Sequence, residues 1–206
     1  MMYKDLAKRY IGVKEGTSTH KHIIDEYNKI SPLPNGYKMT YRDPWCACFV
    51  SFVLYKCGAK NAPFSASAND MRAKAIHNQQ YRRTGPKVND IVFYDWNNDG
   101  HVDHVGIVSK VDANTITTIE GNKNDAVGTR IISKNSKNIS GYATVPQKTA
   151  HDKKSEKDKE LESIARDVIK GKYSNGKTRI ALLKKRGVDP EEVQALVNKM
   201  LKRNSN

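Results

Sequence analysis

The spacing of apolar positions along this chain changes character once, near Pro86. Before it, "YKDLAKRYIGV" and "STHKHIIDEYNKI" place Leu6 and Tyr10, then Ile23, Ile24, Tyr27 and Ile30, at roughly helical intervals and predict two short helices. Pro32, Pro34 and the pair Asn35-Gly36 end the second. From Trp45 to Lys56 the chain is almost wholly apolar, and Gly58 stands where a helix stop belongs, so the pattern predicts a buried helix of about three turns. A fourth helix is read over Ser67 to Ile76. After Pro86 the segments "KVNDIVFYDW", "HVGIVSKV", "TITTIEG", "TRIISK" and "SGYATV" are short, rich in β-branched residues and separated by Asn, Asp and Gly, the signature of an antiparallel meander. Helices first and strands second predict an α+β domain over residues 1–146, with the helices packed on one side of a sheet.

The pattern then lapses. Residues 147–160, "QKTAHDKKSEKDKE", have almost no apolar position and read as a charged linker or an exposed helical spacer. Three amphipathic segments follow in 161–206: "LESIARDVIKG", "NGKTRIALLKKRG" and "DPEEVQALVNKML". Gly171 and Gly187 act as stops; Asp189 caps, Pro190 takes the first helical position, and Glu191 and Glu192 suit the positive helix end. They predict a small three-helix module.

Charge narrows the partners without naming one. Lys and Arg number 36 against 22 Asp and Glu, a net charge of +14, and half of that excess lies after Pro146, so the shorter tail is the more densely charged part. Such a field favours a polyanion: nucleic acid, an anionic membrane surface, or a bacterial wall carrying anionic polymers. It also supports a rival reading as a non-catalytic wall- or nucleic-acid-binding protein, beside the plain one of a solvated basic surface. No stretch reaches 18 consecutive apolar residues, so membrane insertion is not expected. "MMYKDLAKRYIGVKEG" lacks the apolar run of a secretory signal, so synthesis as a soluble cytoplasmic chain is expected.

The three cysteines, Cys46, Cys48 and Cys57, form neither a disulfide framework nor a zinc pattern. Each is therefore a buried small hydrophobe or a reactive thiol. A helix starting just after Pro44 puts Cys46 in its first turn, where unpaired N–H groups and the macrodipole favour a thiolate; Cys48 and Cys57 read as packing. A nucleophilic thiol needs a base. His20, His22, His77 and His151 sit in polar contexts and read as surface residues, whereas His104 enters a strand beside Val105, Gly106 and Ile107. In "TIEGN", Glu120 and Asn122 are two apart and share a face, and either could hold the second ring nitrogen of His104. A separate run, "DWNNDGHVD", sets oxygen ligands at alternate positions, Asp95, Asn97, Asp99 and Asp103, with Gly100 at the turn and the His101 carbonyl between. This matches the first nine positions of a calcium loop. Gly106 stands where the bidentate glutamate belongs, and an Asn/Asp/Gly hairpin turn makes the same composition without metal. A structural Ca2+ beside His104 is expected, and no organic cofactor.

Taken together, "DPWCACFVSFVLYKCG", "DHVGIV" and "IEGN" resemble, in order, the three blocks of the CHAP domain, the cysteine, histidine-dependent amidohydrolase/peptidase family of bacterial and phage wall hydrolases. The resemblance covers roughly Lys4 to Pro146 and implies a papain-like fold. It makes Cys46 the nucleophile, His104 the base, Glu120 its orienting residue and Asn122 a further polar member; Cys48 stands where a non-reactive residue is usual. "ARDVIKGKYSNGKTRIALLKKRGVDPEEVQALVN" resembles the CW_7 cell-wall-binding repeat, with Tyr173, Asn175 and Arg179 as candidate ligand contacts. Together these imply an endolysin acting on peptidoglycan, leaning to N-acetylmuramoyl-L-alanine amidase, with a peptide-bridge endopeptidase as the alternative. No specific nucleic acid is expected as partner, and holin-dependent release is implied.

Overall fold

The chain turns from helix to strand slightly earlier than its apolar pattern predicts. The computed structural model describes residues 1–147 and 150–203, in two compact units, Met1–Gln147 and Lys148–Asn206. The first unit opens with helices α1 (Tyr3–Lys8), α2 (Ser18–Tyr27), α3 (Cys46–Lys56) and α4 (Ala68–His77). Strands β1 (Tyr81–Arg82), β2 (Ile91–Tyr94), β3 (His104–Val111), β4 (Thr115–Glu120), β5 (Gly128–Ser133) and β6 (Ile139–Ala143) follow. The two-residue β1 precedes Pro86 and carries too little pattern to be read. Thr17 caps α2 by accepting from the His20 N–H, and Ser67 caps α4 by accepting from Asp70. In α3 every residue from Cys46 to Leu54 is buried, and Gly58 takes the left-handed φ of +67° that its stop requires.

All strand pairs are antiparallel, in the order β1-β6-β2-β3-β4-β5. The expected meander holds for β2 to β5. The last strand departs from it, returning between β1 and β2. β2 is buried on both faces, so it needs a hydrogen-bonding partner on each edge, and β6 supplies the second.

The two faces of the sheet do different work. Ile91, Phe93, Val105, Ile107 and Ile119 join Ile23, Tyr27, Trp45, Phe49 and Phe52 in the main core, so one face is roofed by the helices as the sequence predicts. Val92, Tyr94, Val108, Ile116 and Tyr142 form a smaller cluster on the other face. The alternation along β2, with Ile91 and Phe93 one way and Val92 and Tyr94 the other, follows from the two-residue period of a strand.

In the second unit, α5 (Ala150–Ile169), α6 (Gly176–Lys185) and α7 (Pro190–Arg203) bury Leu161, Ile164, Ala165, Val168, Leu183, Val193 and Val197 together. Three helices are found as expected, and the stretch before 160 takes the helical-spacer alternative and not that of a linker. α5 runs through it, because Lys, Glu and Ala are strong helix formers even where they give no apolar stripe. Lys148 and Thr149 lie outside the described residues. No helix among the described residues is long and apolar enough to cross a membrane.

Glu26, at the end of α2, accepts from Lys29 at 2.6 Å and from Lys56 of α3 at 3.0 Å, tying the two helices. The Lys29 and Lys56 hydrogen bonds, against a smaller effect of burial, hold its carboxyl down at about 2. A depressed carboxylate contributes stability that is present above its unfolded value and lost as pH falls towards the folded one. The melting-temperature gap between the wild type and Glu26→Gln is therefore expected to narrow as buffer is taken from about pH 6 to about pH 3. A gap independent of pH would show that the ion pairs contribute nothing.

Candidate active site

Cys46 is the first residue of α3 and is 7% exposed. The residue before it is pinned: the fully buried Trp45 donates its ring N–H to Glu15 at 3.0 Å, and the His20 ring lies 4.7 Å from it. His20 is not the surface residue its polar context suggests. It is fully buried, its Nδ1 accepts from the Gly16 N–H at 3.2 Å, and burial pushes its pKa down. The reason is helical phase, since His20 sits on the face of α2 that also buries Ile23, Ile24 and Tyr27. His22 and His77 are exposed as expected, and His101 is exposed too; the side chain of His151 lies outside the described residues.

The other two thiols are set apart by their surroundings. Cys48 is fully buried, and burial raises its pKa well above the usual value; Cys57 is half-buried and raised by the same cause. Of the three thiols, Cys46 alone lies near enough to His104 to influence its ring.

Strand register explains what surrounds His104. Tyr94 on β2 pairs with His104, the first residue of β3; Ile107 pairs with Ile119, which sets Gly106 beside Glu120; and Thr118 on β4 pairs with Arg130 on β5. Tyr94, His104, Gly106, Thr118, Glu120 and Arg130 therefore share one face of the sheet. Glu120 is fully buried, and its Oε2 accepts from His104 Nε2 at 3.1 Å. Because an ionised carboxylate only accepts, Nε2 carries the hydrogen, and Nδ1 is the ring nitrogen not engaged by Glu120. Thr118 donates to Glu120 Oε1 at 2.6 Å, and the Tyr94 hydroxyl donates to Thr118 at 3.0 Å.

These contacts override burial. Burial alone would push the His104 pKa down, but the nearby Cys46 thiol and the hydrogen bond to Glu120 raise it to about 9. Burial would raise that of Glu120, yet hydrogen bonds from His104, Arg130 and Thr118 bring it down to about 2. The arrangement favours an imidazolium against a carboxylate.

Two glycines let these groups meet. A Cβ at Gly106 would lie 2.7 Å from Glu120 Cγ, and one at Gly121 would lie 2.5 Å from Phe49 Cβ. The first lets Glu120 pass across β3, the second lets the end of β4 close on α3. Beside Cys46 opens a cleft of about 600 Å³ whose lining includes Tyr37, Met39, Asp43, Val102 and Asp103.

Of the predicted residues, Cys46, His104 and Glu120 come together, whereas Asn122 is not hydrogen-bonded to them among the described residues. The strand ends at Glu120, and Asn122 lies in the following turn with φ +55°, so the shared-face parity no longer applies. Among the described residues its side chain makes no hydrogen bond to His104. Tyr94, Trp96, Thr118 and Arg130 were not read from the sequence, because their chemistry depends on a register that local pattern does not supply.

The loop before β3 closes through its own hydrogen bonds. Asp95 accepts from the N–H groups of Asp99 and Gly100, Asp99 from that of His101, and Asp103 from that of Trp96. From α4, Arg72 donates to the Gly100 carbonyl at 2.8 Å and Asn69 accepts from Val102 at 3.2 Å. No group of three His, Cys, Asp or Glu residues among those described is arranged to hold a metal. In the second unit, Arg179 donates to the Ser174 carbonyl, Asn175 and Gln194, while the Tyr173 hydroxyl accepts from Arg186.

Comparison with known families supports one class of reading. Residues 36–122 match the CHAP domain and residues 162–201 the CW_7 repeat. The chain carries a CHAP domain followed by a CW_7 repeat. A search of curated proteins finds no match. The CHAP domain supports a cysteine- and histidine-dependent amidohydrolase or peptidase of peptidoglycan, and the CW_7 repeat supports binding to the cell wall.

Within the CHAP domain, Gly106→Ala tests the geometry without touching a polar group. It is expected to cost about 1–3 kcal/mol of stability through overpacking and to cut wall clearing far more than the lost folded fraction explains. Thermal melts run beside turbidity assays check this; full specific activity in the folded variant would show that β3 can yield without moving Glu120.

Proposed function

We propose that the chain is an endolysin of the phage type, cleaving the amide between N-acetylmuramic acid and L-alanine. The observation that carries the hydrolase reading is one imidazole hydrogen-bonded to the buried Glu120 carboxylate, with the Cys46 thiol near enough to raise its pKa. Cys46 is the nucleophile, His104 the general base and acid, and Glu120 the residue that fixes the ring. Cys46 attacks the carbonyl carbon as the thiolate, its proton already held by His104, which then gives that proton to the departing nitrogen as the C–N bond breaks, leaving a thioester on Cys46. Water, losing a proton to His104, cleaves the thioester to a carboxylic acid and the free thiol. The Cys46 N–H, at the positive end of α3, is the first candidate donor to the developing oxyanion. Asn122 enters the site on family resemblance alone.

The preference for the amidase bond over a peptide bridge also rests on resemblance, since both use the same groups. Mass spectrometry of digested wall separates them: intact stem peptides freed from sugar are expected, and bridge fragments with sugars still attached would replace the amidase by an endopeptidase. Cys46→Ala should abolish clearing while wall pull-down persists, and Cys48→Ala should keep most activity. Clearing by Cys46→Ala would instead favour a non-catalytic binding protein, the reading its +14 charge supports.

For the helical unit the proposed wall contacts are Tyr173, Asn175 and Arg179. The support is that Arg179 and Asn175 hydrogen-bond at 2.6 Å on an exposed surface at the start of α6. A Ca2+ in the loop is a further proposal, held by the Asp95, Asn97, Asp99 and Asp103 side chains and the His101 carbonyl; it would offset the clustered carboxylates and stiffen the approach to His104. In its support, the loop already folds back on Asp95, and Gly100 holds φ +91°. Millimolar calcium is expected to raise the melting temperature above that in EDTA by a few degrees, of the order that weak extracellular sites give. Identical melts would remove the ion.

A further inference from the structure

We propose that Arg130 is a positioning residue of this site, acting on Cys46 and His104 through Glu120. The inference rests on the roles given above to those three residues and goes beyond them in adding a fourth group.

Arg130 contributes three of the five polar contacts to the buried carboxylate. Its Nε lies 2.9 Å from Oε1 and 3.1 Å from Oε2, and an Nη lies 3.0 Å from Oε2. The guanidinium is itself held in plane: it lies 4.6 Å from the Trp96 ring centre and 5.6 Å from that of Tyr94, and those two rings stack at 4.7 Å with a 10° tilt. Tyr94 also stacks on His104 at 5.9 Å. The aromatic pair thus touches both cationic partners of Glu120. None of this lies in the main core, which occupies the opposite sheet face, so Arg130 is not a strut between sheet and helices.

The chemistry gives the reason for a second cation. During turnover His104 alternates between charged and neutral forms. A carboxylate with no exposure and no other positive partner would, each time His104 became neutral, be a buried unpaired charge, which is costly enough to drive protonation or movement. Arginine does not lose its proton in this range, so Arg130 keeps Glu120 ionised and aimed through the whole cycle. A fork is needed because two oxygens must be fixed while one still faces His104. Lysine, a single point of charge without a plane to stack, cannot do the same.

The test needs no substrate. In the full-length protein, the rate at which iodoacetamide alkylates Cys46 is measured by mass spectrometry with peptide mapping, for the wild type, Arg130→Ala, Arg130→Lys and Arg130→Gln. Arg130→Ala is expected to slow alkylation of Cys46 by about tenfold or more, the scale on which residues behind a directly acting group operate. Millimolar guanidinium should restore part of the rate, since the deleted group is partly exposed and its site can be refilled. Arg130→Lys and Arg130→Gln should each stay well below wild type, and the glutamine variant stands in if the alanine variant folds poorly. Wild-type rates in the folded variants, or a loss in Arg130→Ala that guanidinium does not reverse, would overturn the proposal. On a soluble muropeptide the same variants should lose kcat with KM little changed. Should the wild type fail to cleave peptidoglycan while the alkylation differences stand, the hydrolase reading fails and the role of Arg130 does not.

Discussion

The structure turns on one buried negative charge. Glu120 has no exposure to solvent, and a carboxylate in that position is tolerated only when its oxygens are fully engaged. Thr118, Arg130 and His104 engage them from three adjacent strands, so the register from β3 to β5 is tied to the chemistry as well as to the core. A slip of one residue in any of these strands would turn its contribution to the other face. The apolar alternation that packs Ile107 and Ile119 against the helices therefore also aims the polar groups on the reverse side.

The thiol is delivered by a different device. α3 is buried over its whole first part and has no side-chain cap, and what fixes its start is Trp45, held by Glu15 and against His20. The helix brings Cys46, which lines the cleft, from one layer, and the sheet brings His104 from the other. Cys48, two residues on and so turned to the core, meets no base and no solvent, which is why two neighbouring thiols have different fates.

Much of this was legible from local pattern. The helix over α3 announces itself by an apolar run with a glycine stop, His104 by its entry into a β-branched segment, and Glu120 by its place at a strand end. What stayed hidden depends on partners distant in sequence. Arg130 reads as an ordinary polar residue of an edge strand until Thr118 is known to lie opposite it. The polar surroundings of His20 conceal that it occupies the buried phase of α2. The charged segment before residue 160 looks like a linker because apolar spacing is absent, yet intrinsic propensity together with the packing of Leu161 and Ile164 carries one helix through it. Asn122 was placed by strand parity beyond the point where the strand ends.

Gly106 gives this fold a built-in trade-off. A glycine in the middle of a well-paired strand is poor strand chemistry, and on propensity alone a branched residue such as valine would be the better choice there. Selection or design for a more stable sheet would thus push this position towards a side chain that collides with Glu120. The missing methyl is a thermodynamic concession confined to one residue. Stabilisation of this enzyme is better sought in the helical layer, away from the face where the strands hold their polar groups.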